Sequence, residues 1–483
     1  MQTEGNLLAL SVLFLWIPVA FIAFRNLPPS RAATVVLVGG LLVLPGLAFI
    51  RIPGLAAYSK ETAPALWSLV ALLALQPQRA LGVRPFRGIS GIFLLGLLGA
   101  VGTGLTNSDV LRYGPRSLEG VGIYESLHRV QYDVLTMFVP FYVARLCYRS
   151  APELTDLMWA LAAAAVAYTP LVLLESYLSP QLHGWIYGVR PIEDFSQTMR
   201  WGGWRPNVFF SHGLALAVFM AVALLAAAPF ARNRWTIFAI GSSRLVFAWL
   251  ALVLALCRSL GAWVYGLVGT VLVWLGSTRL LFRAAALVAT LTLCYPLLRL
   301  WDWFPEETLV STSRALAGEE RAASLEFRFE NETDLLEKAS ERWLFGWGEF
   351  GRAAIYDDWS GQERSVRDGA WIILLGERGL FGYAAAFGLL VLPVYLASRR
   401  LRHLRHQPTR QLAATLTFMV AITGVDLLPN GLFNYLPFVL AGALTGITEG
   451  LTARSEAVAR ARWNAAETSR RPWPRDRGPA PAR

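Results

Sequence analysis

Arginines are the residues of this chain whose type and setting best suit group-transfer chemistry. Residues 199–215, MRWGGWRPNVFFSHGLA, place Arg200 and Arg205 among tryptophans and glycines just before an apolar block. Arg258 lies in CRSLG between two short apolar stretches, and an arginine at membrane depth is costly enough to suggest a function. Guanidinium groups hold phosphate oxygens in pairs, so Arg200 and Arg205 are candidates for binding a phosphate or pyrophosphate. The alternatives are interfacial anchors for Arg200 and Arg205, and a hairpin cap for Arg258.

A second group of candidates lies in residues 301–368, which hold 16 Asp and Glu against 8 Lys and Arg. Apolar residues at helical spacing predict an amphipathic helix over 325–343 that carries Arg328. The GWG at 346–348 suits a tight turn that brings backbone close to a ligand. Asp368 follows where the loop enters the next helix, as a functional carboxylate or as an N-cap.

Two ion pairs are expected from sequence neighbours. Arg328 and Glu332 are four residues apart, the spacing at which side chains meet on a helix. Glu377 and Arg378 are adjacent in LGERGLFG, where an ion pair at the interface lets the helix begin outside the lipid.

Apolar blocks of roughly 20 residues, the length at which a helix crosses ~30 Å of hydrocarbon, must position these side chains. The chain has 483 residues, of which 55% are hydrophobic and 16% charged, and a mean hydropathy of +0.44. This composition excludes a soluble multidomain enzyme and a disordered or fibrous chain. It predicts an all-α polytopic transmembrane helical bundle. We count 12 or 13 apolar spans, at about 7–24, 32–50, 60–76, 88–105, 130–147, 157–178, 213–229, 245–257, 260–276, 281–300, 371–397, 411–428 and 432–449.

The blocks and loops divide the chain into six parts. These are N-terminal transmembrane helices (1–178), a basic and aromatic loop (179–212), central transmembrane helices (213–300), a large acidic, partly helical loop (301–369), C-terminal transmembrane helices (370–449) and a disordered basic tail (450–483). Arginine collects in residues 398–410 and in the tail, which predicts that both are cytoplasmic and that the two long loops are external. The net charge of +11 therefore indicates orientation rather than nucleic-acid binding. The three cysteines and five histidines show no metal-ligand spacing.

In their order along the chain, these motifs resemble the superfamily of O-antigen ligases and Wzy-type polysaccharide polymerases. The resemblance covers about residues 175–395. It rests on the R.GG.RPN....HG.A pattern at 200–215, on CRSLGA where the family shows an SRG-like sequence, on the large loop with R…L..A…..GWG, and on L.GERGLFG. The resemblance implies the GT-C glycosyltransferase architecture and transfer of a glycan from undecaprenyl pyrophosphate at the periplasmic face of the bacterial inner membrane.

One departure from the family favours a polymerase over a ligase. Ligases that join O-antigen to lipid A–core typically carry a histidine before the final motif, where this chain has Asp368. The resemblance therefore implies an inverting enzyme that joins undecaprenyl-pyrophosphate-linked repeat units of O-antigen or exopolysaccharide. Arg200, Arg205, Arg258 and Arg328 would bind the pyrophosphate, and Asp368, Arg258 and Arg328 would act in catalysis. An arginine clamp needs no metal or other cofactor, although the acidic loop leaves a metal site open.

Two alternatives stay open at this point. The chain could be a ligase that moves the glycan to lipid A–core or another acceptor, or a non-enzymatic transporter or flippase of lipid-linked glycans. Expected partners are the bilayer, the lipid-linked glycan, and chain-length regulator and flippase proteins.

Overall fold

The computed structural model describes residues 2–190, 198–236 and 242–469, and most of them are helical. Short antiparallel strands lie in the connections between helices: β1–β2–β3 form one sheet, and β4–β5 and β6–β7 form two hairpins. Their bounds are β1 (Gln2–Glu4), β2 (Phe49–Arg51), β3 (Tyr58–Ser59), β4 (Leu111–Tyr113), β5 (Arg116–Leu118), β6 (Met199–Arg200) and β7 (Gly203–Trp204).

Ten helices come before the β6–β7 hairpin in the described part of the chain. They are α1 (Leu7–Asn26), α2 (Pro29–Ala33), α3 (Gly39–Val43), α4 (Ala63–Leu75), α5 (Pro77–Ala80), α6 (Phe93–Thr106), α7 (Ile123–Asp133), α8 (Val139–Cys147), α9 (Ala151–Leu178) and α10 (Leu182–Tyr187). A 3₁₀ turn over Gly88–Ile92 leads into α6. Single π-helical turns join α2 to α3 (Thr34–Val38) and α7 to α8 (Val134–Phe138).

Nine more helices follow the hairpin in the described ranges. They are α11 (Gly213–Asn233), α12 (Ser243–Leu256), α13 (Leu260–Leu275), α14 (Thr278–Leu300), α15 (Glu306–Ala317), α16 (Glu319–Glu341), α17 (Ala370–Arg400), α18 (Gln407–Asp426) and α19 (Leu436–Ser469). A 3₁₀ turn, Leu401–His403, follows α17.

The chain is a multi-pass helical bundle, as its apolar blocks predict. Seven described helices are long and apolar enough to cross a membrane: Leu7–Asn26, Gly88–Thr106, Ala151–Leu178, Gly213–Asn233, Thr278–Leu300, Ala370–His403 and Leu436–Arg454. Four shorter apolar helices lie at other predicted spans: Pro29–Val43, Ala63–Leu75, Ser243–Leu256 and Leu260–Leu275. The α11 helix lies at the centre, buried along nearly its whole length against α9, α12, α13 and α18.

Both long connections lie at one end of the bundle, which we call the loop end: the end at which α14 stops at Leu300 and α17 begins at Ala370. The Asn107 amide, just after α6, donates to the Gly346 carbonyl there (3.0 Å). The opposite end is marked by the buried Arg145, which pairs with Glu449 of α19 (2.6 Å). The arginine-rich turn after α17 lies at that opposite end, because α17 runs the length of the bundle from Ala370.

The predicted amphipathic helix is confirmed, since α16 covers Glu319–Glu341. Its apolar positions Leu335, Leu336 and Ala339 are buried, as the helical spacing requires. Arg299, at the last turn of α14, fastens the helix to the bundle. Its Nη2 donates to the Phe329 carbonyl (2.8 Å) and to the Thr333 hydroxyl (2.9 Å).

The GWG turn lies in close contact with the backbone of helix α17. The Trp347 and Gly348 amides donate to the carbonyls of Gly376 (2.8 Å) and Glu377 (3.0 Å). Gly379 interrupts α17 with φ +61°, and a Cβ there would lie 2.3 Å from the Leu344 carbonyl carbon. The two glycine motifs therefore pack against each other, and glycine is needed at 379 for both conformation and space.

The tail differs from the prediction over its first half. Residues 450–469 were expected to be disordered, but α19 continues through them to Ser469. Alanine, arginine and glutamate dominate this stretch, and all three favour or tolerate a helix. The rest of the predicted tail, 470–483, lies outside the described residues.

Candidate functional site

Three of the predicted arginines meet at the loop end, where they form what we call the arginine cluster: Arg200, Arg205 and Arg258. Arg205 donates from Nε and Nη2 to the Arg258 carbonyl (3.3 and 3.0 Å). Arg258 donates from Nη1 to the Arg200 carbonyl (3.2 Å). The two sequence motifs that carry them, 58 residues apart, are thus one structural unit.

The backbone around the arginine cluster explains its neighbouring glycine. Arg258 has φ +49°, in the turn between α12 and α13, and its guanidinium lies across the β6–β7 hairpin. A Cβ on Gly203 would lie 1.7 Å from Arg258 Nη1, so only glycine leaves room for that guanidinium. Trp201 of the hairpin stacks on Trp263 of α13, with ring centroids 4.7 Å apart, and this holds the hairpin against the turn.

A buried carboxylate, which the sequence reasoning missed, holds the chain that follows Arg205. Glu175, at the end of α9, accepts the backbone N–H groups of Leu182 (2.9 Å), Asn207 (2.8 Å) and Val208 (2.6 Å). Glu175 is 1% exposed, so these three N–H groups take the place of the water molecules that would hydrogen-bond to an exposed carboxylate. The available signal was a lone acid inside a predicted apolar span, which is rarely without a role.

His212 lies beside the arginine cluster at the start of α11. Its Nδ1 accepts the Leu214 N–H (3.0 Å), so the ring caps the helix. Burial first, and then the positive charges of Arg205 and Arg200, lower its pKa to about 4. The imidazole is therefore neutral at pH 7 and adds no positive charge to the cluster.

The other two predicted residues meet in a second place at the loop end. Arg328 of α16 and Asp368 before α17 form an ion pair of 3.3 Å, and each side chain is a little over two-fifths exposed. They line a cavity of about 390 Å³, which we call the mouth cavity. Most of its wall is apolar or aromatic, including Phe304, Phe329 and Leu428. An apolar pocket with a few convergent polar groups is typical of a ligand site.

Asp368 is not a helix cap in the structure. Gly369 occupies the N-cap position of α17, with no capping hydrogen bond from a side chain. The Asp368 carboxylate turns instead to Arg328, 40 residues earlier. This leaves the carboxylate at the cavity rather than committed to the helix.

The predicted pair between Arg328 and Glu332 is wrong. Glu332 lies on the buried face of α16, where its carboxylate accepts the Tyr295 hydroxyl (2.8 Å) and the Trp371 indole N–H (3.3 Å). Burial raises the pKa of Glu332, against the effect of these hydrogen bonds and of nearby Arg299. Glu332 therefore anchors α16 to α14 and α17 and also lines the mouth cavity.

The predicted pair between Glu377 and Arg378 is also wrong, because neighbours on a helix point in different directions. Glu377 pairs with Arg367 (3.6 Å), and Arg378 pairs with Asp133 of α7 (2.7 Å). Asp133 also accepts from Arg129 (3.1 Å). The sequence analysis does not predict this network, although Arg129 and Asp133, four residues apart at the start of the predicted span 130–147, indicate one.

The five predicted site residues thus form two groups rather than one. The mouth cavity is lined by Arg328 and Asp368 but not by the arginine cluster. Helix α13 connects the two, because Arg258 precedes it and Tyr265, in its second turn, lines the mouth cavity.

Within the described ranges, no group of three or more His, Cys, Asp or Glu side chains is placed to hold a metal ion. The side chains that the two groups offer are guanidinium, carboxylate and phenol groups, the Asn331 amide and the neutral His212 imidazole.

Comparison of the chain with protein-family models and with curated proteins finds no match.

Proposed function

We propose that this protein is an inverting glycosyltransferase of the bacterial inner membrane. It joins undecaprenyl-pyrophosphate-linked oligosaccharide repeat units, of O-antigen or exopolysaccharide, at the periplasmic face. The observation that carries the proposal is the Arg328–Asp368 pair on an apolar-lined cavity, at the same bundle end as three further arginines. The motif order that resembles the ligase and polymerase superfamily supplies the substrate class.

The arginine cluster suits the leaving group. When the bond between the anomeric carbon and the pyrophosphate oxygen breaks, negative charge develops on the lipid pyrophosphate. Preorganised cations at that point stabilise the transition state more than the ground state. The cluster is fixed by backbone hydrogen bonds and by the Glu175 anchor, so little reorganisation is needed.

Asp368 suits the other half of the reaction. The acceptor sugar hydroxyl attacks the anomeric carbon from the side opposite the pyrophosphate, which inverts that centre. Its proton passes to the Asp368 carboxylate, and the lipid pyrophosphate leaves with the bonding electron pair. A carboxylate within hydrogen-bond reach of the hydroxyl can act as this base.

The apolar lining of the mouth cavity suits a lipid-linked substrate. Phe304, Phe329 and Leu428 offer surface for isoprenoid carbons, while Arg328 and Asp368 are solvated near the rim. The positive-inside rule supports a periplasmic loop end, because residues 398–410, with five arginines and no acid, lie towards the other end of the bundle.

A transporter of lipid-linked glycans is the second candidate, because charged side chains pair between helices. The Arg378–Asp133 pair joins α17 to α7, and both residues are mostly buried. Ionisable groups of this kind often mark transport paths. Only the glycosyltransferase makes new glycosidic bonds, so product analysis separates the two.

The test is chain extension in a strain whose sole copy carries Asp368→Asn or Arg258→Ala. Matched controls are Asp358→Asn and Arg364→Ala, exposed residues of the 301–369 loop that belong neither to the arginine cluster nor to the wall of the mouth cavity. We expect the first two variants to lose long polymer at unchanged protein abundance, and the controls to keep it. Long polymer in both site variants would refute the assignment.

A further inference from the structure

A second cavity lies on the other side of α17 from the mouth cavity. It encloses about 230 Å³, far more than the roughly 10–15 Å³ that one water molecule needs. Helices α7, α17 and α19 and the turn before α4 surround it. Its wall includes Glu61, Arg129, Tyr132, Glu377, Phe433 and Asn434.

Three polar groups of this wall face the cavity without a hydrogen bond to another described side chain. These are the Glu61 carboxylate, which lies within the field of the Lys60 ammonium, the Tyr132 hydroxyl and the Asn434 Nδ2, whereas the Asn434 Oδ1 accepts the Leu436 N–H (3.0 Å). Polar groups inside folded proteins are almost always hydrogen-bonded to protein or water. Groups left open around one cavity therefore favour a polar occupant.

The two other charged groups of the wall, Arg129 and Glu377, are held in place by ion pairs. Arg129 is fixed between Asp133 (3.1 Å) and Glu349. Glu377 is held by Arg367 (3.6 Å). The cavity thus presents two carboxylates, one guanidinium, one phenol and one amide, together with the Thr136 hydroxyl, which donates to the Tyr132 carbonyl (2.8 Å).

This mixture of groups selects among ligand classes. A phosphate would face the two carboxylates Glu61 and Glu377, and a simple cation would face Arg129. A lipid chain would leave every polar group without a partner, at a cost for each. A neutral, hydroxyl-rich ring can donate to the carboxylates and accept from the guanidinium and amide, while Phe433 contacts its carbon face.

We propose that this cavity, which we call the sugar cavity, binds one neutral sugar ring of the glycan substrate. The role of that sugar in the reaction rests on the proposed function. The connector between α18 and α19 forms a shared wall, since Leu428 and Pro429 line the mouth cavity and Phe433 and Asn434 line the sugar cavity. Midway along it, a Cβ on Gly431 would lie 2.9 Å from the Asp368 carbonyl oxygen. A sugar held here lies across one connector from the Asp368 backbone.

Saturation-transfer NMR on the full chain in nanodiscs tests the proposal directly. The probes are the methyl glycosides of a hexose, an N-acetylhexosamine, a 6-deoxyhexose and a uronic acid. We expect transfer to at least one neutral glycoside, and least transfer to the uronic acid, because its carboxylate meets Glu61 and Glu377.

Variants locate the binding site. Tyr132→Phe and Asn434→Ala each remove one hydrogen bond and should weaken binding about fivefold or more. Tyr124→Phe is the matched control, because Tyr124 is exposed on the same helix α7 and is not part of the cavity wall. Unchanged melting temperatures show that the variants are folded.

The outcomes separate this inference from the proposed function. No transfer to any probe, or equal binding by Tyr132→Phe, Asn434→Ala and the control, overturns the sugar cavity even if the protein makes polymer. Binding that is lost in the two variants supports the sugar cavity, whether or not the purified protein forms glycosidic bonds. A purified protein that forms no glycosidic bond refutes only the glycosyltransferase.

Discussion

Replacing Gly203 by alanine should disable the arginine cluster without touching an arginine. A Cβ at this position would lie 1.7 Å from Nη1 and 2.2 Å from Cζ of Arg258. Gly203 does not have a positive φ, so alanine fits its backbone. The guanidinium must therefore leave the hairpin and lose its hydrogen bond to the Arg200 carbonyl (3.2 Å).

The size of the effect follows from what a preorganised cation contributes to a transition state. Removing one such group typically costs about 10²–10³ in rate, or roughly 3–4 kcal/mol. The folding cost is smaller, about 1–3 kcal/mol for a hydrogen bond made by a charged donor, and alanine offsets part of it by restricting the unfolded chain. We expect activity to fall far more than stability.

Gly202 is the matched control, because alanine there should lower the stability of the protein and leave its reaction rate unchanged. A Cβ on Gly202 meets nothing within 4 Å, but the residue has φ +71°. Gly202→Ala should therefore cost about 1–2 kcal/mol of folding free energy through backbone strain, and leave the rate of the folded protein unchanged.

The assay is polymer formation per folded protein, with melting temperature measured on the same samples. The double variant Gly203→Ala with Arg258→Ala should be no slower than Arg258→Ala alone, because both changes remove one interaction. Wild-type polymerisation by Gly203→Ala, or additive losses in the double variant, would show that polymer formation does not depend on where the Arg258 guanidinium lies.

Three further predictions concern the groups around the site. Arg328→Ala should shorten the polymer yet change stability by less than about 1 kcal/mol, because its ion pair with Asp368 is well exposed; a melting curve and a glycan gel measure both. Glu175→Gln loses an acceptor for buried backbone N–H groups and should cost about 1–3 kcal/mol, seen as a lower melting temperature; an unchanged value would contradict the anchor. Burial raises the pKa of Glu332 above its ordinary 4.5, so its contribution to stability is fully present below that pH and is lost as pH rises through the folded-state pKa. The melting temperature of wild type should therefore fall relative to Glu332→Gln as the pH rises above about 4.5, and parallel curves would contradict this.

The helical architecture was predictable because burial in a bilayer depends on local composition. Most apolar blocks of sufficient length form helices here, although the predicted span 32–50 is helical only to Val43, and the spacing of Leu335, Leu336 and Ala339 is visible within two helical turns. The gathering of arginine into few segments is likewise a local property of the sequence.

The pairing of charges was not predictable from neighbours along the chain. Arg328 has an acid four residues on, yet it pairs with Asp368 because Glu332 faces the interior of the bundle. Glu377 and Arg378 separate in the same way, each towards a different partner. Which face of a helix is buried depends on tertiary packing, which the spacing rule does not contain.

The sugar cavity was not predictable from the sequence, because its polar groups come from four distant segments: Glu61, Arg129, Glu377 and Asn434. Only the fold brings them together. The GWG motif was predictable in part. Its glycines indicated a close backbone contact, but not that the contacting backbone belongs to α17.

Reconstitution of the purified chain with lipid-linked repeat units shows whether the chain forms glycosidic bonds between repeats. The protein is placed in liposomes with undecaprenyl-pyrophosphate-linked oligosaccharide as the only glycan, and the products are analysed by mass. We predict lipid-linked glycans of two or more repeats with release of undecaprenyl pyrophosphate, and none with Asp368→Asn. Glycan that crosses the membrane, or moves to another carrier, without any repeat-to-repeat bond would contradict the account.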